Sequence, residues 1–206
     1  MAKHDTLIVV DVQNDFCPGG ALAVNEGNAI VPVINGIMPG FTRVVATQDW
    51  HPRDQVSFAS NHPGSKPYDV IALGGIEQVL WPDHCVAGTT GADFHPRLQT
   101  ERFHLIVRKG TNPAVDSYSA FLENDKKIKT GLDGYLKAVG AERIFLCGLA
   151  TDYCVFYSAI DAAQFGFKTY VIIDACRGID VPENNIERSL SAMKDRGIQI
   201  VQSNEL

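Results

Sequence analysis

Six apolar, β-branched runs punctuate this chain, at 6–12, 43–47, 103–108, 143–149, 168–174 and 198–202. Between several of them the apolar residues recur at helical spacing, over 28–38, 130–139, 152–165 and 183–196. Strands that are apolar at nearly every position are buried on both faces, and intervening amphipathic helices supply the cover. The alternation predicts a doubly wound, Rossmann-like α/β fold: a parallel sheet of about six strands with helices on both faces. Ligands then sit at the carboxyl edge of the strands. Pro182-Glu183 is a good start for the last helix and Gly197 a good stop. No repeat, low-complexity linker or domain boundary interrupts the pattern, so residues 1–206 are expected to form one domain with a full core.

Charge and cysteine usage exclude several functions. The net charge is −6, and Lys126-Lys127-Ile128-Lys129 reads as a solvated loop or helix end. Without a basic stripe, nucleic-acid binding is disfavoured. No run approaches the length of a membrane span, and the N-terminal apolar run stops at Asp11, so neither a membrane partner nor a secretory leader is expected. The five cysteines include no C-x-x-C pair. That pattern suits a reducing cytosol, with Cys17, Cys85, Cys147 and Cys176 as ordinary small residues.

One segment breaks the rhythm. Gln48–Arg102 is rich in Pro, Gly, His and Asp and carries both tryptophans and four of the six histidines. Loops longer than about 12–15 residues in a compact domain are usually functional or disordered. This one starts where a strand ends, at the edge where ligands bind.

Three strand ends carry chemistry. Cys154 lies in Gly148-Leu149-Ala150-Thr151-Asp152-Tyr153-Cys154-Val155, where the strand at 143–149 turns into a helix. A helix N-terminus favours thiolate, the nucleophilic form, although a cysteine near a helix start is more often packing. Asp11 ends the run Leu7-Ile8-Val9-Val10, and Lys109 ends Leu105-Ile106-Val107-Arg108. A charge at the end of a buried strand costs several kcal/mol to desolvate unless partnered, and these two offset each other if they meet. A base, a cation and a thiol at three strand edges make a set suited to acyl transfer. In Asp49-Trp50-His51 the carboxylate and imidazole stand at i and i+2 of extended chain, so they can grip one ion. Spacing alone leaves the third ligand open among His62, His84 and His95. Gly88-Thr89-Thr90-Gly91 follows no predicted strand and lacks the lysine of a phosphate loop.

The chain resembles the nicotinamidases of the isochorismatase-like cysteine hydrolase superfamily. The resemblance rests on VDVQNDFCPGGALAV at 10–24, ATQDWHP at 46–52, WPDHCVAGTTGADFHP at 81–96, VRKGTNPAVDSYSAF at 107–121 and CGLATDYCV at 147–155. It implies hydrolysis of nicotinamide to nicotinate and ammonia in NAD salvage, with pyrazinamide also accepted. Asp11 would be general base and acid, Lys109 would orient Asp11, and Cys154 would form a thioester. The oxyanion hole would be the backbone N–H groups of Ala150 and Cys154, held by a cis peptide between Ala150 and Thr151. The resemblance also selects His84 as the third ligand beside Asp49 and His51. Two histidines and a carboxylate suit one divalent ion per chain, Zn²⁺ or Fe²⁺, with Mn²⁺ a further choice. Some relatives add a histidine or glutamate, for which His62 is the nearest candidate. Phe16, Trp81 and Tyr118 resemble the aromatic walls around the substrate ring. The partner implied is a small molecule, for a cytoplasmic enzyme working as a monomer or a homo-oligomer such as a dimer. Two other readings are weighed: an N-carbamoyl or ureido amidohydrolase of the same superfamily, which generally lacks the Asp-x-His and WPxHC motifs, and a non-catalytic metal-binding domain.

Overall fold

The computed structural model describes residues 4–206. Its strands are β1 (Asp5–Val10), β2 (Arg43–Asp49), β3 (Val70–Leu73), β4 (Ile76–Val79), β5 (Leu105–Lys109), β6 (Arg143–Leu149), β7 (Lys168–Arg177) and β8 (Gln199–Val201). The α-helices are α1 (Ile30–Ile37), α2 (Leu132–Ala138), α3 (Phe156–Gln164) and α4 (Asn185–Asp195). A six-stranded sheet runs β5-β2-β1-β6-β7-β8, and its strand pairs are parallel. This is the α/β sheet that the apolar runs predict. Among the described residues, no helix is long and apolar enough to cross a membrane.

The chain starts mid-sheet, moves one way through β2 to β5, then returns to β6 and moves the other way. Right-handed crossovers therefore place α1 on one face and α2, α3 and α4 on the other. The direction reverses between β1 and β6, the switch point where α/β sheets bind ligands. Leu7, Ile8, Val9 and Val10 of β1 are wholly buried. Each such side chain contributes roughly 1.5–3 kcal/mol relative to exposure, which fixes the central strands and the edge where they end.

Element boundaries differ from expectation where the site lies. The first run was expected to extend to residue 12, but β1 stops at Val10 because Asp11 takes a positive φ of 48°. Asparagine and aspartate tolerate that region better than other side chains. The helix expected over 152–165 is split. Thr151–Val155 forms a wide π turn, closed by Val155 N–H donating to Ala150 O at 3.1 Å, and α3 begins only at Phe156. The cis peptide implied between Ala150 and Thr151 lies one residue earlier, at Leu149–Ala150, where β6 ends and the turn begins. A short antiparallel hairpin, β3–β4, emerges from the long segment around Gly74-Gly75 and was not foreseen.

Candidate active site

Asp11, Lys109 and Cys154 converge at the carboxyl edge of the sheet. Lys109 is 2% exposed, Asp11 0% and Cys154 6%. The Lys109 ammonium lies 2.9 Å from Asp11 Oδ2 and 3.4 Å from Cys154 Sγ. It also donates to Ser117 O at 2.9 Å and to the carboxylate of Asp49. The Asp11 Oδ2 contact is ionic rather than a well-angled hydrogen bond. Asp11 Oδ1 accepts from the Thr47 hydroxyl at 2.6 Å, which fixes the plane of the carboxylate. A carboxylate oxygen of Asp11, one of Asp49 and Cys154 Sγ all lie within 4.8 Å of one another.

This crowding sets the charges. Burial lifts the Asp11 carboxyl to about 6, with Lys109 pulling the other way. Burial also works against the Lys109 charge, but Asp11 and Asp49 more than offset it and hold the ammonium well above its usual range. Asp49 is likewise opposed by burial yet held below the usual carboxylate range by Lys109 and His51. The thiol departs from expectation. Burial pushes Cys154 well above the ordinary thiol range, Lys109 opposes, and Asp11 and Asp49 push further upward. The sulfur therefore rests as a neutral thiol beside a carboxylate, not as the thiolate expected at a helix N-terminus.

The structure brings Asp49, His51 and His84 together as the second cluster, all buried, with ligand atoms within 4.8 Å of one another. Asp49 Oδ2 is 3.5 Å from His51 Nε2 and 4.0 Å from His84 Nε2. Four-coordinate zinc with bonds near 2.0–2.2 Å separates its ligands by roughly 3.3–3.5 Å, so the set closes on an ion with small movements. Each imidazole is already turned for that task. His51 Nδ1 lies 2.9 Å from Gly110 O and His84 Nδ1 2.8 Å from Pro82 O. A carbonyl can only accept, so Nδ1 carries the proton in both rings and Nε2 keeps its lone pair for a cation. Burial and the neighbouring His51 lower His84 to about 4, which leaves its ring neutral at pH 7. The residues fit a divalent metal, which Asp49, His51 and His84 would hold. Gly110 makes the His51 contact possible: at its φ of +64°, a Cβ would lie 2.3 Å from His51 Cε1. Of the other histidines weighed, His62 Nε2 donates to Val56 O at 2.7 Å and His95 Nδ1 accepts from Arg97 N–H at 3.2 Å, and neither joins the cluster.

Both clusters reach one small pocket, where Cys154 and Ala150 and the metal-ligand candidates Asp49 and His84 share a lining with Phe16, Trp81, Tyr118, Tyr153, Asp116 and Ile179. The three expected aromatic walls are present, and their orientation is fixed. Phe16 lies 5.4 Å from the His84 ring, and Trp81 Nε1 donates to the Tyr118 hydroxyl at 3.0 Å.

Several residues escaped sequence reasoning. Gln13 clamps the Asp49 peptide, accepting from its N–H and donating to its C=O, each at 2.8 Å. Its amide thereby extends the ladder beyond the end of β1. Asp15 accepts from Cys85 N–H at 2.7 Å and so holds the turn that carries His84. The available signal for both was a run of polar residues, Gln13-Asn14-Asp15, inside an otherwise apolar neighbourhood. Tyr153 adds an edge-on ring 4.8 Å from Trp81 and had only its place beside Cys154 to announce it.

Known proteins share the sequence and fold of this chain over its whole length. The isochorismatase domain model matches residues 5–205. A nicotinamidase of Acinetobacter baylyi is 48% identical over 205 residues, covering 100% of this chain and 95% of that protein. A solved nicotinamidase and pyrazinamidase of Acinetobacter baumanii superposes with a TM-score of 0.98 at 48% identity, covering 100% of this chain and 99% of the other. The pyrazinamidase of Pyrococcus horikoshii, solved in complex with zinc, superposes with a TM-score of 0.78 at 39% identity, covering 97% and 99%.

Proposed function

This chain belongs to the isochorismatase family, and we propose that it is a nicotinamidase, hydrolysing nicotinamide to nicotinate and ammonia and so serving NAD salvage, with pyrazinamide as a second substrate. One observation carries the reading: the Lys109 ammonium joins Asp11 and Cys154 to Asp49, so an acyl-transfer set and a metal-ligand set share one aromatic-lined pocket. Full-length similarity to proteins of that activity supports it.

Catalysis follows from the resting charges. Cys154 Sγ attacks the carboxamide carbon while its proton passes to Asp11, whose raised pKa makes it a competent acceptor near neutrality. The oxyanion is received by the N–H groups of Ala150 and Cys154, which line the same pocket. Asp11 returns the proton to the departing nitrogen, ammonia leaves, and a thioester remains. Asp11 then takes a proton from water as it attacks the thioester, and the proton goes back to sulfur as nicotinate is released. Lys109 keeps Asp11 in place and balances charge through both halves. Asp49, His51 and His84 would hold Zn²⁺ or Fe²⁺. When bound, that ion supplies a Lewis acid able to accept a lone pair from a pyridine nitrogen. Phe16, Trp81 and Tyr118 stack around the ring. The unpaired state of all five cysteines fits a cytoplasmic protein.

An N-carbamoyl amidohydrolase would use the same triad but gives no reason for Asp49, His51 and His84 to converge. A non-catalytic metal-binding domain gives no reason to bury Asp11 and Cys154 on Lys109. Ammonia release from nicotinamide, with and without chelator, is the test. Turnover that chelation reduces sharply is expected, with the fold remaining cooperative; no ammonia from nicotinamide by metal-loaded protein would refute the reading.

A further inference from the structure

In the crossing between β7 and α4 one residue, Ile179, reaches the lining of the pocket. The other lining residues are aromatic rings, the buried Asp116, or members of the reacting and metal-ligand sets. Ile179 is aliphatic, half-buried and carried on a connection rather than a strand.

The connection is fastened to the nucleophile's own turn. Asp152, two residues before Cys154 and 2% exposed, accepts from Ile179 N–H and from Asp180 N–H, each at 2.9 Å. Its Oδ2 also accepts from the Asn185 side chain at 3.1 Å. The next residue, Tyr153, donates its hydroxyl to Val181 O at 2.5 Å. Gly178 lets the backbone come this close: a Cβ there would lie 2.6 Å from Ile186 side-chain atoms and 2.8 Å from Asp152 Oδ1. Asp180 in turn accepts from Ile186 N–H at 3.0 Å, tying the crossing to the first turn of α4.

The sulfur and the Ile179 wall therefore ride on one rigid unit, and the distance between them does not depend on the rest of the connection. We propose that Ile179 is the specificity-determining wall for substituents on the substrate ring, and that Asp152 is the positioning residue that sets its distance from Cys154. The proposal rests on the nicotinamidase reading and adds to it which side chain limits the ring. Removing a few methylenes from a pocket wall changes discrimination between ligands differing by one methyl by about 10–200-fold.

The test is a ratio, kcat/KM for each of the four ring-methylated nicotinamides divided by that for nicotinamide, measured on the metal-loaded full chain. Ile179→Ala should raise the ratio at least tenfold for one ring position. Ile179→Trp should act oppositely, raising KM for nicotinamide while leaving the rate of Cys154 alkylation by a small reagent unaltered. Asp152→Asn places an amide N–H₂ against a backbone donor, so it should relax discrimination at the same ring position. In the Asp152→Asn/Ile179→Ala double variant no further relaxation should appear, because both changes act through one wall. A purely structural role for Asp152 would lower all rates together and leave the ratios alone. Unchanged ratios in Ile179→Ala, with wild-type turnover of nicotinamide intact, would overturn this inference alone. Wild-type protein that released no ammonia from nicotinamide would overturn the function reading and this inference with it.

Discussion

Lys109→Met removes a buried cation while keeping most of its volume, and it tests the charge arrangement at the centre of the site. In the native chain the ammonium lies 2.9 Å from Asp11 and also holds Asp49, and both carboxylates are almost wholly buried. Removing one partner of a buried pair costs about 3–5 kcal/mol, because the remaining charge stays desolvated. Here two carboxylates lose the same partner. A loss of that size corresponds to a fall in Tm of roughly 6–20 °C for a chain of this length.

The loss should depend on pH with a definite sign. Asp11 has a folded pKa of about 6 against an ordinary value of 3.8, so its contribution favours folding at low pH and is lost as pH rises through 6. Without Lys109, whose charge pulls it down, this pKa rises further, and the variant gains stability on acidification over a wider range than wild type. A rise of about one pKa unit narrows the gap between the two proteins by about 1 kcal/mol between pH 7 and pH 5, and a larger rise by up to about 1.4 kcal/mol. Urea unfolding followed by tryptophan fluorescence, in chelator at both pH values, measures this. Adding Asp11→Asn to Lys109→Met should restore about 2 kcal/mol, since it removes one of the two stranded charges. The reasoning fails if Lys109→Met lies within about 1 kcal/mol of wild type at pH 7, or if the double variant is no more stable than the single one.

Cys154→Ala should abolish steady-state ammonia release while nicotinamide binding stays measurable by calorimetry, because the ring is held by the metal site and the aromatic walls. Asp11→Asn should be equally damaging to kcat, and in wild type kcat/KM should fall about tenfold per pH unit below pH 6, where Asp11 protonates and can no longer accept the thiol proton. A pH profile flat to pH 5 would assign the base elsewhere. Gly110→Ala should drive a methyl into the His51 ring and lower the metal content of purified protein well below one per chain, with unfolding still cooperative.

How much of this was legible in the sequence follows from the range of the forces involved. The six strands of the sheet announced themselves because burial on both faces demands apolar residues at nearly every position, and β6 has the bounds its apolar run predicts. The β3–β4 hairpin was missed although Gly74-Gly75 between two apolar runs is a hairpin signal; its four-residue strands are too short for periodicity to register. Asp11, Lys109 and Cys154 were visible as polar endings of buried strands. The bond between Lys109 and Asp49 was not, because it depends on β2 and β5 pairing in the register that sets those two residues opposite each other.

The charge state of Cys154 failed for a reason of magnitude. A helix terminus contributes about 0.3–1 kcal/mol, less than one pKa unit, and here the first turn is a wide π turn. Full burial shifts a pKa by up to about 3–5 units in the opposite direction, and two carboxylates add to it. In the proposed mechanism the sulfur becomes nucleophilic as its proton leaves for Asp11. That makes the position of Asp11, fixed by Thr47 and Lys109, a stronger determinant of rate than the helix behind the thiol. Thr47→Val, which removes the hydroxyl but keeps the shape of a β-branched strand residue, should therefore lower kcat more than KM and shift the acid limb of the pH profile upward. An acid limb that stays put would return the control of reactivity to the helix terminus.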